Sequence, residues 1–300
     1  AKGEPLLEFG TRRAQELDAA LWGTRAAYIG GFNATSNVRA GKLFNLPVSG
    51  THAHALVQAY KNDYDAFTAY AKTHHNVVFL VDTFDTLKSG VPNAIKVARE
   101  FGDKINFQGV RIDSGDMVGL SQTIRQELDK AGFPNAKIYA SNDLDEYAIT
   151  NLKKQNAKID VWGVGTKLIT AFDQPALGAV YKMVSISGNN TIKLSDDDEK
   201  ISTPGKKQIW RTDTGDMLTL FDEQGVGRPI LQDIFVHGKQ IYQIPTAQAV
   251  QRYAKDSLSA IPAPFKRIDS PEKYSVSLSK RLIEAKNTTI QHVKNMIKEF

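Results

Sequence analysis

Strand-like and helix-like segments alternate seven times over about the first 165 residues of this 300-residue chain. Strands are predicted at Leu6–Phe9, Tyr28–Phe32, Leu46–Gly50, Val77–Val81, Ile105–Ile112, Lys137–Ala140 and Ile159–Trp162. Helices are predicted between them, at Arg12–Leu21, Ala55–Tyr70, Asn93–Phe101, Leu120–Ala131 and Asp143–Leu152. Alternation in units near ~30 residues predicts a parallel sheet covered by helices. Seven compact units favour an irregular parallel α/β barrel, although an open doubly wound sheet is the competing fold.

The pattern changes near residue 175. Antiparallel strands are predicted at Gly178–Ser187, Thr191–Leu194, Gln208–Asp213 and Met217–Phe221, and helices at Thr246–Leu258 and Leu278–Phe300. We therefore expect a barrel with the active-site face at 1–175, a β-rich segment at 176–245 and a helical C-terminal region at 246–300.

Polar side chains follow the last apolar residue of each predicted strand. The chain order of these residues is Arg12, Ser36, Thr51 with His54, Asp82, Asp113, Ser141 and Thr166. The carboxyl ends of parallel strands meet on one face, where α/β proteins bind their ligands. Each group alone is typical of capping or turn chemistry, but their common position predicts one shared site.

The residue types at these strand ends suit a phosphorylated substrate. Arg12, Arg13 and Arg111 offer paired donors for phosphate or carboxylate, and the glycines of Gly163–Thr166 leave backbone N–H groups open to an anion. Carboxylates that could hold Mg²⁺ through water are Asp82, Asp85, Asp113 and Asp116. Together they favour a doubly phosphorylated sugar or a nucleotide over a neutral metabolite.

Composition and missing motifs exclude several other classes. The chain has no cysteine, which rules out disulfides and thiolate chemistry and fits a reducing compartment. No apolar run approaches the ~20 residues that cross a bilayer, so we expect no membrane partner. The net charge of +5 is mild and no recognition motif accompanies it, so we expect no nucleic acid either. Walker A, GxGxxG, GxSxG and HExxH patterns are all missing from the sequence.

Several longer motifs resemble one enzyme family. By itself, the hexapeptide 49–54 (SGTHAH) is typical of a tight turn with two solvated histidines. The chain also carries EFGTRR at 8–13, GFNATSNV at 31–38, GVRIDSGD at 109–116, GVGT at 163–166 and QPALGAVYK at 174–182. In this order they resemble the nicotinate phosphoribosyltransferases over nearly the whole chain.

The resemblance implies a type II phosphoribosyltransferase fold and a reaction of NAD biosynthesis. Nicotinate and 5-phosphoribosyl 1-pyrophosphate would give nicotinate mononucleotide and pyrophosphate, with ATP hydrolysis coupled through a phosphohistidine and with Mg²⁺ as cofactor. A homodimer in the cytoplasm is the expected state.

The resemblance also implies roles for residues at matching positions. His54 resembles the phosphorylated histidine, whereas His52 occupies a variable slot, and Arg111 and Asp113 complete the expected catalytic set. Nicotinate contacts are implied for Phe9, Ser36, Thr51 and Arg111. Phosphoribosyl pyrophosphate contacts are implied for Arg12, Asp82, Asp113, Gly163, Gly165 and Thr166, with Asp82 and Asp113 as weak metal ligands. The related nicotinamide-specific enzymes carry an aspartate where this chain has Ser36, and a carboxylate there would repel nicotinate.

One departure from the family pattern leaves the activity open. Family members usually carry well over a hundred residues before the EFG segment, which starts here at Glu8. We therefore expect the usual N-terminal domain to be truncated or supplied by another chain. The alternatives are a nicotinamide- or quinolinate-type phosphoribosyltransferase, or a non-catalytic fragment that binds a ligand or a partner.

Overall fold

Six short strands form a parallel sheet in the computed structural model, which describes residues 1–298. They are β1 (Leu6–Glu8), β2 (Ala34–Thr35), β3 (Asn76–Leu80), β4 (Asn106–Ile112), β5 (Lys137–Ala140) and β6 (Val161–Val164). All the pairings within this sheet are parallel, and its spatial order is β2-β1-β6-β5-β4-β3.

This strand order is that of a singly wound barrel opened at one place. Neighbours in the chain are neighbours in the sheet, β6 returns to β1, and only the β2–β3 pairing is missing from the ring. A doubly wound sheet would instead reverse its order at a switch point. The curled half-barrel confirms the predicted irregular parallel α/β barrel class.

Helices cover the outer face of the sheet. Their bounds are α1 (Leu17–Ile29), α2 (Val38–Phe44), α3 (His54–Gln58), α4 (Asp63–Thr73), α5 (Val91–Phe101), α6 (Met117–Lys130), α7 (Glu146–Lys154) and α8 (Thr166–Ile169). The main core joins Val77 and Phe79 of β3 to Phe67 of α4 and Ile124 of α6, all fully buried. Val78 and Leu80 point to the opposite face of the sheet, and they are buried as well. The continuously apolar run of β3 is thus explained by burial on both faces.

Two predicted strands near the start of the chain are wrong. The second overlaps the end of α1, whose buried positions Ala20, Thr24, Ala27 and Tyr28 keep a helical spacing up to the first residue of the predicted strand. The actual strand β2 follows it and has only two residues. The third shrinks to a single parallel bridge between Thr35 and Val48.

One predicted helix is also interrupted. The segment 55–70 contains the end of α3 and most of α4, and the side chain of Asn62 caps the second helix by accepting from the Asp65 N–H at 2.9 Å. An N-cap residue has extended backbone dihedrals and cannot lie inside a continuous helix.

The chain divides into two units. The first contains Ala1–Ala176 and Pro245–Lys255, and the second contains Leu177–Ile244 and the chain from Asp256 onward. A sheet in the order β11-β9-β10-β14 organises the second unit, with β9 at Lys207–Arg211, β10 at Asp216–Leu220, β11 at Arg228–Pro229 and β14 at Val276–Leu278. Strand β14 pairs in parallel with β10, whereas the neighbouring pairs are antiparallel.

The chain after the barrel strands also forms two small hairpins and two helices. The hairpins are β7 (Ser185–Ile186) with β8 (Asn189–Asn190), and β12 (Phe235–Val236) with β13 (Lys239–Gln240). The long strands predicted at 178–187 and 191–194 are therefore wrong, since only the hairpin forms there. The helices are α9 (Ala247–Ala260) and α10 (Lys280–Lys298), and positions 299 and 300 of the last predicted helix lie outside the described residues. Within residues 1–298, no helix is both long enough and apolar enough to cross a membrane.

Candidate active site

A cavity of about 420 Å³ lies at the carboxyl ends of the barrel strands. Its walls include ten of the predicted site residues, namely Phe9, Arg12, Ser36, Thr51, His54, Arg111, Asp113, Gly163, Gly165 and Thr166. The wall also contains Arg13, His52, Ser141, Asn142 and Asp143. The predicted convergence of the strand ends is thus a feature of the structure, although the roles of individual residues stay predictions.

The hexapeptide 49–54 spans the opening of the barrel. On the β2 side, the Thr35 N–H donates to the carbonyl of Pro47 at 3.1 Å, and the Ser49 N–H donates to the Thr35 carbonyl at 3.0 Å. On the β3 side, the Leu80 N–H donates to Nε2 of His52 at 3.1 Å. Leu80 lies on the edge strand β3, and its N–H points away from β4, because that of Val81 pairs with β4. The hexapeptide therefore takes the place of a missing strand pairing.

The two histidines of the hexapeptide occupy different environments. His52 is buried beside Phe67, Tyr70 and Phe79, with ring centroids 4.9 to 6.5 Å away. Burial lowers the pKa of His52 from 6.5 to about 4. A neutral imidazole is required here, because Nε2 accepts the Leu80 N–H and a protonated ring has no acceptor. His52 is therefore an anchor for the segment that carries His54.

His54 begins α3 and pairs with a buried carboxylate. Its Nε2 lies 3.0 Å from Oδ1 of Asp82, whose side chain is only 2% exposed, whereas that of His54 is 37% exposed. The other oxygen of Asp82 accepts from the Asp113 N–H at 2.9 Å and from the Ser114 hydroxyl at 2.5 Å. A carboxylate held in this way orients the imidazole and accepts a hydrogen bond from its Nε2–H, so that Nδ1 is left with a free lone pair.

Arg111, on β4, is held by neighbours on three sides. It donates from Nε to the Ser141 hydroxyl at 2.9 Å and from one terminal nitrogen to the Thr51 hydroxyl at 2.8 Å. The other terminal nitrogen lies 3.4 Å from Oδ1 of Asp113. The guanidinium carbon also lies 5.4 Å from the centre of the Phe9 ring, within the range of a cation–π contact. A cation and an aromatic face thus lie side by side in the cavity wall.

Two glycines of the 163–166 segment, one inside β6 and one directly after it, are required by packing. A Cβ at position 163 would lie 2.7 Å from two ring carbons of Phe9, and one at position 165 would lie 3.2 Å from the Phe9 carbonyl oxygen. Any side chain at 163 would displace the ring. The sequence motif therefore also sets the position of the aromatic face.

Glu8 supports the site from below. Its carboxylate is 1% exposed and accepts from the backbone N–H of Gly10 and from the hydroxyls of Thr24 at 2.9 Å and Thr35 at 2.5 Å. A buried carboxylate needs such donors. Because these donors come from α1, β2 and the turn after β1, Glu8 ties together three elements beneath the cavity.

The loop after β5 differs from its prediction. Residues 143–145, predicted as the start of a helix, belong to this loop, because Asp145 caps α7 by accepting from the Ala148 N–H at 2.6 Å. Asn142 and Asp143 instead have φ values of 99° and 45°, a costly backbone conformation typical of functional loops. Ser141 was noted only as a strand-end residue, and its contact with Arg111 depends on the register of β4 against β5.

The carboxylates do not form a ready metal cage. Among the described residues, no group of three or more His, Asp or Glu side chains is placed to hold a metal ion. Asp85 and Asp116 accept backbone N–H groups at the starts of the segments that follow them, and Asp82 is buried. Asp113 has a quarter of its side chain exposed at the cavity. Asp113 alone could hold Mg²⁺ if the phosphate oxygens of the substrate supplied the other ligands, since Mg²⁺ in proteins is often bound by one or two carboxylates together with substrate phosphates.

Comparison with known proteins relates this arrangement to one enzyme family. Residues 5–223 match the nicotinate phosphoribosyltransferase (NAPRTase) family model, and residues 197–286 match the nicotinate phosphoribosyltransferase C-terminal domain model. Nicotinate phosphoribosyltransferase of Bacillus subtilis is 53% identical over 99% of this chain and 67% of its own length. A nicotinate phosphoribosyltransferase of Mycobacterium tuberculosis is 37% identical over 94% of this chain and 62% of its own length.

A solved structure extends the comparison to the fold. The crystal structure of human nicotinic acid phosphoribosyltransferase is similar with a TM-score of 0.80 and 27% identity, over 95% of this chain and 70% of the human chain. This chain thus spans about two thirds of the length of each of these three relatives.

Proposed function

The chain belongs to the nicotinate phosphoribosyltransferase family, and we propose that it joins nicotinate to 5-phosphoribosyl 1-pyrophosphate in NAD biosynthesis. The products are nicotinate mononucleotide and pyrophosphate. The observation that carries the proposal is Arg111 beside the Phe9 ring in the cavity wall. This pair suits an aromatic carboxylate, because the ring can stack on the pyridine while the guanidinium meets the carboxylate.

The pocket for nicotinate follows from the donors of Arg111. Ser141 and Thr51 each take one of its five N–H groups, and others remain for a substrate carboxylate. Ser36 also lines the cavity. Its hydroxyl donates to the Glu8 carbonyl oxygen at 3.3 Å, a long hydrogen bond that a ligand can readily replace. A hydroxyl there tolerates a nearby anion, which supports nicotinate over nicotinamide.

The phosphoribosyl pyrophosphate would bind in the same cavity, next to the nicotinate. Arg12 and the backbone at Gly165 and Thr166, directly after β6, offer donors to its phosphates, and Asp113 offers a carboxylate to its metal. When bound with the substrate, Mg²⁺ would neutralise charge on the pyrophosphate. The pyridine nitrogen attacks the anomeric carbon as the bond from that carbon to the pyrophosphate oxygen breaks. Nearby cations stabilise the departing group, so catalysis is mostly positioning and electrostatics.

His54 would couple this reaction to ATP. With its Nε2 proton held by Asp82, Nδ1 attacks the γ-phosphorus of ATP, and ADP leaves. Water later hydrolyses the phosphoramidate, which releases phosphate and restores the imidazole. The exposure of His54 at the cavity supports this step, because the ring must reach a nucleotide. A homodimer and a cytoplasmic location complete the proposal.

A comparison of substrates tests the proposal. Purified protein is given phosphoribosyl pyrophosphate, Mg²⁺ and either nicotinate, nicotinamide or quinolinate, with and without ATP, and the mononucleotide is quantified by chromatography. We expect turnover with nicotinate and stimulation by ATP. Turnover with only one of the other two bases would reassign the substrate. Binding of phosphoribosyl pyrophosphate in a calorimeter without any turnover would favour a non-catalytic chain.

A labelling experiment tests the phosphohistidine separately. We expect acid-labile ³²P from γ-labelled ATP on the wild-type protein and none on His54→Ala. His52→Gln is the matched control, because it changes the other histidine of the hexapeptide and should keep the label. Full labelling of His54→Ala would disprove the assignment.

A further inference from the structure

We propose that Ser141 is a positioning residue that separates Arg111 from Asp113 and so keeps the arginine available to the substrate carboxylate. This inference rests on the proposed function, since it concerns how the same pocket binds nicotinate. It assigns to Ser141 a role in affinity and leaves the chemical step to other groups.

The Ser141 hydroxyl sits between the two charged side chains. It accepts from Nε of Arg111 at 2.9 Å and donates to Oδ1 of Asp113. A hydroxyl has one hydrogen, and the guanidinium can only donate, so the direction of both hydrogen bonds is fixed. Ser141 is 4% exposed, so water cannot easily replace its hydroxyl.

The spacing of the charged groups shows what the hydroxyl prevents. The nearest terminal nitrogen of Arg111 lies 3.4 Å from Oδ1 of Asp113, too long for a strong hydrogen bond. Arginine and aspartate that meet without a spacer favour a bidentate pair with two parallel hydrogen bonds. Such a pair would draw the guanidinium toward Asp113 and away from Thr51 and the Phe9 ring.

The surroundings of Ser141 leave room for little else. A Cβ at position 163 would lie 3.4 Å from the Ser141 Cβ and 2.7 Å from the Phe9 ring, so both side chains lie against this glycine. A small side chain with a hydroxyl therefore suits the position. Ser141 begins the loop after β5, and its backbone N–H donates to the Ile112 carbonyl at 3.1 Å, which holds it beside β4.

Steady-state kinetics of Ser141 variants test the inference. Ser141→Ala should raise KM for nicotinate by roughly tenfold to a hundredfold, the effect of losing a charge-assisted hydrogen bond to substrate, while kcat changes by less than about threefold. Ser141→Thr and Ser141→Val form a matched pair of nearly equal shape, of which only threonine keeps the hydroxyl. Threonine should retain a KM within about fivefold of wild type, and valine should resemble alanine.

The outcomes separate this inference from the proposed function. If the wild-type protein turns over nicotinate and Ser141→Ala has an unchanged KM, or loses kcat with KM constant, the positioning role is wrong. Equal KM values for the threonine and valine variants would also overturn it, even if the alanine variant fails to fold. If the wild-type protein does not use nicotinate at all, the proposed function fails, and nicotinate binding measured by calorimetry on the same variants still decides the role of Ser141.

Discussion

Replacement of His52 by glutamine should remove the acid sensitivity that this histidine contributes to the stability of the barrel unit. The pKa of His52 is about 4 in the folded protein, whereas its pKa in the unfolded chain is 6.5. At a pH between these two pKa values, His52 binds a proton in the unfolded chain but not in the folded protein. Stability from this group is therefore fully present above pH 6.5 and is lost as the pH falls toward 4. At 1.36 kcal/mol per pH unit, the loss reaches about 3 kcal/mol.

Urea unfolding between pH 4 and pH 7 measures this effect. Glutamine can place its Oε1 near the position of Nε2 and accept the Leu80 N–H, but it does not titrate. The free energy of unfolding of the wild type minus that of His52→Gln should fall by about 3 kcal/mol from pH 7 to pH 4. Groups that the two proteins share cancel in this difference.

A second variant separates the proton from the hydrogen bond. His52→Phe keeps an aromatic ring among Phe67, Tyr70 and Phe79 but leaves the Leu80 N–H without an acceptor. It should be less stable than His52→Gln by about 1–3 kcal/mol at every pH. A pH-independent difference between the wild type and His52→Gln would refute the burial of a neutral imidazole at the opening of the barrel.

Three further changes test other parts of the site. Gly163→Ala should push the Phe9 ring out of place and raise KM for nicotinate at least tenfold, because the new Cβ would lie 2.7 Å from the ring. Asp82→Asn should slow acid-labile ³²P labelling of His54 by about tenfold to a hundredfold, because an amide can present a donor to Nε2 and favour the wrong tautomer. Glu8→Gln should lower the free energy of unfolding in urea by about 3 kcal/mol, because its NH₂ would face donors in a buried site.

Each of these changes has an outcome that contradicts the structure. An unchanged KM in Gly163→Ala would show that the ring does not contact the substrate. Labelling of Asp82→Asn at the wild-type rate would remove the carboxylate from the phosphorylation step. A Glu8→Gln protein as stable as the wild type would mean that the carboxylate is not held by its three donors.

The sequence predicted the sheet best where strands are buried on both faces. The apolar run at 77–81 was placed within one residue, because continuous burial leaves an unambiguous pattern. The segment at 137–140 was placed at its actual bounds, although only Ile138 and Ala140 are buried there. Failures occurred where a strand is only two residues long, as at Ala34–Thr35, since the pattern then carries almost no periodicity. There α1 extends to Ile29 and so contains the first two residues of the segment 28–32 that was predicted as a strand.

The candidate site was predictable in outline because polar residues at parallel strand ends must converge. Pairings that depend on strand register were not, including His54 with Asp82 and Ser141 with Arg111. The burial of His52 was also hidden, because its partner is a backbone N–H on the edge of β3. This contact crosses the opening of the sheet between residues that are 28 positions apart, and no local pattern in the sequence indicates it.

A crystal structure of the protein with nicotinate mononucleotide tests the central claim most directly, because the product reaches both halves of the proposed pocket. We predict the pyridine ring stacked on Phe9, its carboxylate within hydrogen-bond distance of Arg111 and the 5′-phosphate at Gly165 and Thr166, directly after β6. Density for the product outside the cavity at the strand ends, or a carboxylate turned away from Arg111, would contradict the proposed site.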